Sequence, residues 1–521
     1  MLTAPLTIGA ARTRQQELEL GCSYPSETQS RLRMAGNKSG APHIVWFRDD
    51  LRLSDHAALH AASETGAPNI CVFILDEESA SLRPPRSRPR GGASRCWLAQ
   101  SLKALNQSLV KFDQTLVLRR GASADVLGKL ATETQAASVF CIGSDIAAEK
   151  QLEDDVASTL EKIGVALKVF PSDLLVKPQS VRNAEGRGLR VFTPFWKRVL
   201  NLGDPPKPLP APKKLGAGIS IKSDDLKSWN LEPSKPDWAG GLRETWTPGE
   251  AAAHERLKDF LDHDIKDYAQ LRDRPDRDGT SRLSPHLRFG EISPRQIRYA
   301  ANFAAARKPA IANDVAKFLS ELGWREFSRH LLHDLPNLAE KNLQPSFDEF
   351  PWKRDAKALR AWQRGLTGYP IVDAGMRELW HTGIMHNRVR MVVASFLVKH
   401  LLIDWRCGEK WFWDTLVDAD PGSNPASWQW VAGSGADAAP YFRVFNPILQ
   451  GEKFDPDGAY VSKWVPELSK LSPKFIHKPW DATPMELAAA GITLGKNYPE
   501  PIIDHKAGRE RALAAYKKTR T

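Results

Sequence analysis

From His43 onward, short apolar runs alternate with stretches of helical composition. HIVWF, NICVFIL, TLVLR, SVFCI and VALKVF recur, separated by segments such as CWLAQSLKALNQSLVKF and EDDVASTLEKIG. Short, wholly apolar runs followed by helices are the pattern of parallel strands buried on both faces. An α/β domain with a doubly wound parallel sheet is therefore predicted over residues 41–172. Residues 173–245 mix prolines, lysines and isolated tryptophans around DPPKPLPAPKK, a composition that predicts an extended linker. Beyond Pro248 strand patterns vanish, and residues 246–515 are predicted to be all helical. Residues 1–40 carry acids at Glu17 and Glu19 and no apolar run, so a disordered tail is expected there, with a short tail at 516–521.

The periodicity is sharpest between Thr367 and Ala439. A first helix should start at Pro370, whose missing N–H costs nothing there, and stop near Gly383. A second should run from about His386 to Ile403, with Val389, Val392, Val393, Phe396 and Leu397 on its packing stripe. Asn387, Arg390, Met391 and Ala394 form a separate stripe, which a solvated helix face would also explain. The following LVDADPGSN brings Asp418, Asp420 and Asn424 into a broken loop just before Trp428 and Trp430. Asp418 and Asp420 are candidates to pair with Arg390 or to bind the polar edge of a heterocycle. Six tryptophans lie in this stretch, which suggests a flat aromatic ligand.

Composition narrows the classes. A chain of 521 residues predicts two domains. Lysine plus arginine minus acids is 73 − 62 = +11, which suits a polyanion such as nucleic acid but also an ordinary basic protein. Five scattered cysteines without a CxxC pair imply a reducing cytosol, with neither zinc nor disulfides. No apolar run reaches the ~18 residues of a membrane span, so a soluble, cytoplasmic protein is expected. Neither GxGxxG nor a Walker loop is present, which argues against a dinucleotide bound in the usual Rossmann manner. The arginine-rich RPPRSRPRGGASR, residues 83–95, reads as a mobile surface loop with DNA contact as a second role.

Three further constellations bear on chemistry. Ser284-Pro285 and Ser293-Pro294 each fit an N-cap followed by the first helical residue. Thr280, Ser281, Arg282 and Ser284 would then offer hydroxyls, N–H groups and a guanidinium to a phosphate, although capping alone explains the serines. In FLSELGWREFSRHLL, Glu321 and Arg325 are spaced for an i, i+4 ion pair, and Trp324 beside them could stack on a flipped base. Trp428, Trp405 and Trp352 lie on three separate segments, and each alone would be read as core packing.

HNRVRM, DWRCGEKWFW, DADPGSN and SWQW, with WFRDDLRLSDHAAL near the start, closely resemble the DNA photolyase and cryptochrome family. The likeness runs from about His43 to the C-terminus and is nearest to bacterial class I photolyases of cyclobutane pyrimidine dimers; His56 stands where asparagine is more common. It implies a Rossmann-like antenna domain and a helical domain holding FAD. TSRLSP resembles the pyrophosphate-binding sequence, so Tyr268, Arg272, Thr280, Ser281, Arg282, Leu283 and Ser284 would bind FAD with Asn387, Arg390, Asp418, Asp420 and Asn424. Asn424 would face the flavin's reactive nitrogen, where plant cryptochromes carry aspartate.

Trp324 and Trp430 would sandwich the dimer, Glu321 would hydrogen-bond to the thymine carbonyls, and Arg325, Asn387 and Met391 would line the pocket. Trp428, Trp405 and Trp352 match the family's electron-carrying chain. In the implied reaction, excited, fully reduced FAD gives an electron to a flipped-out dimer in DNA, the ring splits, and the electron returns.

A second, light-harvesting chromophore is implied, either a folate such as methenyltetrahydrofolate or a deazaflavin. GSDIAAEKQLEDD resembles the folate-contacting stretch, with Glu149 in place and Ala148 replacing an asparagine. A monomer acting on dimer-containing DNA, nucleoid-associated when bound, is expected. Repair of (6-4) photoproducts would call for paired histidines where this chain has His386-Asn387. A cryptochrome-type photoreceptor without repair is disfavoured by Glu321, Trp324, Met391 and Trp430 occurring together, and by the expected lack of a long signalling tail beyond Thr521. A flavin electron-transfer protein unrelated to DNA is disfavoured by the +11 charge and the Glu321–Trp324 pair.

Overall fold

A computed structural model describes residues 40–84, 86–438 and 443–519. Apart from Gly40, the tail expected at 1–40 lies outside these residues.

Five parallel strands form one sheet: β1 (His43–Phe47), β2 (Asn69–Leu75), β3 (Leu116–Arg120), β4 (Ser138–Ile142) and β5 (Ala166–Phe170), in the order β3-β2-β1-β4-β5. Helices α1 (Ala57–Glu64), α2 (Gly92–Val110), α3 (Ser123–Thr134) and α4 (Ala147–Glu161) connect them. Period-two alternation sends Val45, Phe47, Cys71 and Phe73 into one core and Ile44, Trp46, Ile70 and Val72 into the other. The first of these cores also contains Trp246, Phe289 and Val417, so one sheet face packs directly on the helical half. Strand order reverses between β1 and β4, the place where an open α/β sheet leaves a crevice at its carboxyl ends. Arg48–Asp50 and Gly143–Asp145 line that crevice, facing Arg288, Arg325, Arg329 and Asp420 across it.

The segment at 173–245 is more than an extended linker. It holds α5 (Phe192–Asn201), whose Phe195 and Val199 are buried, and it buries Trp229 and Leu231. Its start is pinned by Arg52 on Asp173 (2.7 Å), by the Leu175 N–H donating to Glu326 (2.8 Å), and by His330 at 3.2 Å from the Val176 carbonyl. Proline and lysine content hid this, because the few apolar residues find their cores on other segments. The proline-rich stretch around 203–212 is without regular structure.

The helical half is built around the expected pair. Pro370–Thr382 ends on Gly383 at φ 68°, and Asn387–Ser395 buries Val389, Val392 and Val393. That second helix does not run unbroken to Ile403; a π turn at Phe396–His400 ends it, and Leu402 adopts φ 55°. Trp405–Thr415 and Ser423–Ala432 pack against the pair. At the C-terminus, His505–Lys518 is helical, so the expected tail begins later than residue 516. Among the described residues no helix is long and apolar enough to cross a membrane.

Candidate active site

Three segments that the sequence singled out separately meet at Asp418. Its carboxylate accepts from Arg390 Nη2 at 2.9 and 3.1 Å and from the Ser284 hydroxyl at 2.7 Å. Arg390 is fixed from behind by its Nε on the Met385 carbonyl, at 2.7 Å. Ser284 is thus not the N-cap its Ser-Pro pair suggested: Leu283 takes the cap position of a short helix, Ser284–Arg288, and the hydroxyl is committed to Asp418. The second pair behaves as expected, with Ser293 and Gln296 forming a reciprocal capping box.

Asp420 does something different from Asp418. One oxygen accepts the N–H groups of Gly422 and Ser423, both at 2.8 Å, and the other accepts from Arg329 at 3.3 Å. Burial alone would raise its carboxyl, but Arg329, Arg325 and Arg288 together hold it below the usual range. It lines the interdomain crevice and not, with Asp418, the contact to Arg390.

The Thr280 and Ser281 hydroxyls are half-buried and hydrogen-bond to no described residue. Arg282, at φ 49°, is held by Asp278 at 3.1 Å, while Leu283 and Tyr268 are buried at the base of the loop, Tyr268 edge-on to Phe260 and Phe318. Uncommitted hydroxyls and a guanidinium on a half-buried loop are the donor set that a nucleotide cofactor's phosphates require. The residues present fit FAD.

Glu321 pairs with Arg272 and, at 3.0 Å, with Lys317 one turn back on its helix. The expected partner, Arg325, binds the buried Glu326 at 3.0 Å and lines the interdomain crevice with Glu149, which removes it from the Glu321 side. A helical position has neighbours on both sides, and spacing alone does not say which one a side chain takes.

Trp324 stacks face to face on Phe192, ring centroids 3.8 Å apart and planes 7° from parallel. Trp430 donates its indole N–H to the Asp437 carbonyl at 3.1 Å. Asp437 in turn gives its N–H to the Arg190 carbonyl at 3.0 Å, and its carboxylate accepts the Phe192 N–H. Residues 190–192 and 437 therefore tie the two expected dimer-stacking tryptophans to one another. Met391 lies beside Arg388, sulfur to nitrogen 3.9 Å, and Asn387 is exposed at the start of its helix.

His386 caps that helix, its Nδ1 accepting the Arg388 N–H at 3.2 Å. Burial holds its imidazole down at about 4, as it does for His330. Both folded values lie below the ordinary 6.5, so the unfolded chain takes up protons that the folded one refuses. Stability should be full above pH 6.5 and fall as pH drops toward 4, by about 1–2 kcal/mol per histidine between pH 7 and 5. Urea midpoints at the two pH values check this; His386→Asn, which can cap without titrating, should flatten the slope, and an unchanged slope would refute the assignment.

Trp405 and Trp428 are 0% and 2% exposed in one core, and Trp352 packs half-exposed at its edge against Phe350. Trp405 donates to Asn342 at 2.9 Å. Trp428 closes on Gly408, where any Cβ would sit 2.2 Å from its ring. Asn424 donates both amide hydrogens to Glu409, at 2.8 Å to the carboxylate and 3.1 Å to the backbone carbonyl. Glu409, within DWRCGEKWFW and four residues after Trp405, was not picked out by sequence; its side chain is 1% exposed and bound by Arg88. The arginine-rich loop is accordingly not a free surface loop: Arg88 docks here, and Arg90 pairs with Asp49 at 2.6 Å. Phe192 and Asp437 were also missed, having no local signal.

Residues 318–518 match the model of the FAD binding domain of DNA photolyase, and residues 43–213 match the DNA photolyase model. The deoxyribodipyrimidine photo-lyase of Agrobacterium fabrum is 51% identical over 485 residues, 91% of this chain and 98% of that one. Cryptochrome-1 of Arabidopsis thaliana is 38% identical over 92% of this chain and 71% of its own length. Among solved structures, a bacterial class III photolyase from Agrobacterium tumefaciens superposes with a TM-score of 0.88 at 50% identity, covering 95% of this chain and all of that one. An α/β sheet, a helical FAD-binding half and identities at this level over nearly the whole length place the chain in the DNA photolyase and cryptochrome family.

Proposed function

We propose that this photolyase homologue repairs cyclobutane pyrimidine dimers in DNA, driven by light, and that it is of the class III kind of its structural neighbour and not class I, the nearest match by its motifs. The observation that carries the reading is the Phe192–Asp437 tie, which fixes Trp324 and Trp430 relative to one another, with Glu321 one turn from Trp324. Two aromatic walls and a carboxylate suit a base pair of reduced pairing strength that has left the duplex. Arg272 and Lys317 both pair with the Glu321 carboxylate, so its oxygens are positioned before the lesion arrives. The surplus of +11 would hold the phosphate backbone, making binding strongly salt-dependent.

Tyr268, Arg272, Thr280 to Ser284, Asn387, Arg390, Asp418 and Asn424 would hold FAD, which when bound and reduced would supply the electron that opens the dimer and take it back afterwards. Trp352, Trp405 and Trp428 would form the inward path from the surface to that site. A second chromophore, a folate or a deazaflavin, would occupy the crevice beside Glu149. The test is light-dependent return of intact thymines from an oligonucleotide carrying one thymine dimer, with chemically reduced flavin and a dark control. Bound flavin without dimer splitting would move the reading to a photoreceptor.

A further inference from the structure

We propose that Arg88 is a positioning residue for the flavin site: acting through Glu409, it fixes which way the Asn424 carboxamide faces. The proposal rests on reading Asn424 as the residue at the flavin's reactive nitrogen.

Glu409 is a buried carboxylate with two kinds of partner. Arg88 grips both of its oxygens, Nη1 to Oε2 at 2.6 Å and Nη2 to Oε1. Asn424 Nδ2 gives one hydrogen to Oε1 at 2.8 Å and the other to the Glu409 carbonyl at 3.1 Å. Both amide hydrogens are thus committed. Turning the amide over would set its oxygen against a carboxylate and a carbonyl, two acceptors facing an acceptor. The Asn424 oxygen accepts from no described residue, which leaves it for a ligand. Oxidised flavin carries a lone pair at that ring nitrogen, and reduced flavin carries a hydrogen. An acceptor held there favours the reduced form.

Arg88 is needed because its two-pronged grip fixes the plane of the Glu409 carboxylate, and with it the oxygen that holds the Asn424 amide; without that grip the carboxylate can swing away and the amide is free to turn. The loop bearing Arg88 is shaped for this contact. Its guanidinium lies 3.7 Å over the Trp413 ring, the Trp413 indole donates to the Pro89 carbonyl at 2.9 Å, and the Gly92 N–H donates to Asp414 at 2.8 Å. A Cβ on Gly91 would fall 2.1 Å from the Trp413 carbonyl oxygen, so only glycine permits this approach. A segment of the α/β half thereby reaches, through Glu409, the residue expected to touch the flavin in the helical half.

The experiment measures the reduction potential of bound FAD, and its dependence on pH, in the holoprotein and its variants. Arg88→Gln and Glu409→Gln should each lower the preference for reduced over oxidised flavin by roughly tenfold, about 30 mV for a two-electron couple. Arg88→Lys, which keeps the charge but loses the two-pronged grip, should recover part of the shift. Arg90→Gln loosens the same loop without touching Glu409 and should lower the thermal midpoint while leaving the potential in place. If Asn424→Ala shifts the potential and Arg88→Gln does not, the coupling through Glu409 is wrong. If Arg90→Gln shifts it as far as Arg88→Gln, Arg88 is only a docking contact and the proposal fails. If Asn424→Ala shifts nothing, the placement of Asn424 at the flavin falls, and the role of Arg88 with it.

Discussion

Asp418→Ala is expected to yield protein that has lost most of its FAD and is less stable by about 2–3 kcal/mol. The size follows from what the carboxylate joins. It neutralises Arg390 and accepts from Ser284, so its removal strands a largely buried guanidinium and a hydroxyl together. Breaking a buried pair from one side costs about 3–5 kcal/mol, and the 26% exposure of the Arg390 side chain reduces that figure. The loss of flavin should exceed the loss of stability, because Asp418 links the loop of Thr280 to Ser284 to the Asn387–Ser395 helix. Asp418→Asn keeps an acceptor for Ser284 without the charge and should fall between. Flavin content by absorbance and urea unfolding of the apoprotein separate the effects; a variant that retains wild-type FAD affinity would remove Asp418 from the cofactor site.

Trp324→Ala should weaken binding to dimer-containing DNA by about 1–3 kcal/mol, roughly 5- to 150-fold, while affinity for undamaged DNA stays near its starting value. One face of this indole is already covered by Phe192 at 3.8 Å, so stacking on a base falls to the other face. Phe192→Ala removes the support and leaves the indole. Its effect should be smaller, about 0.5–1.5 kcal/mol, the range for an aromatic pair. Gel shifts with damaged and intact duplexes at fixed salt would read both. Equal loss on both duplexes would make Trp324 a structural or backbone contact, and no loss would take it out of the pocket.

Local sequence determined the parts of this protein whose causes are local. The buried strands β1 to β5 were legible because a sheet covered on both faces demands uninterrupted apolar runs. The Pro370–Thr382 helix was legible because proline and glycine punctuate it, and the Arg390–Asp418 pair because both residues stood in recognisable motifs.

Tertiary structure decided which partner each polar group takes. Glu321 had a candidate one turn ahead in Arg325, yet Arg272 from a distant segment and Lys317 bind it. Asp418 and Asp420 are two residues apart in one loop, and the backbone turn sends one to Arg390 and the other to the interdomain crevice. The arginine-rich loop gave no sign of Glu409, which lies 321 residues from Arg88. Phe192, in the segment whose composition suggested an extended linker, supports a tryptophan on a helix far along the chain. Hydrophobic periodicity repeats along a segment and can be read from it; hydrogen bonds and ring stacking between remote segments follow from how the domains pack, and no local pattern encodes them.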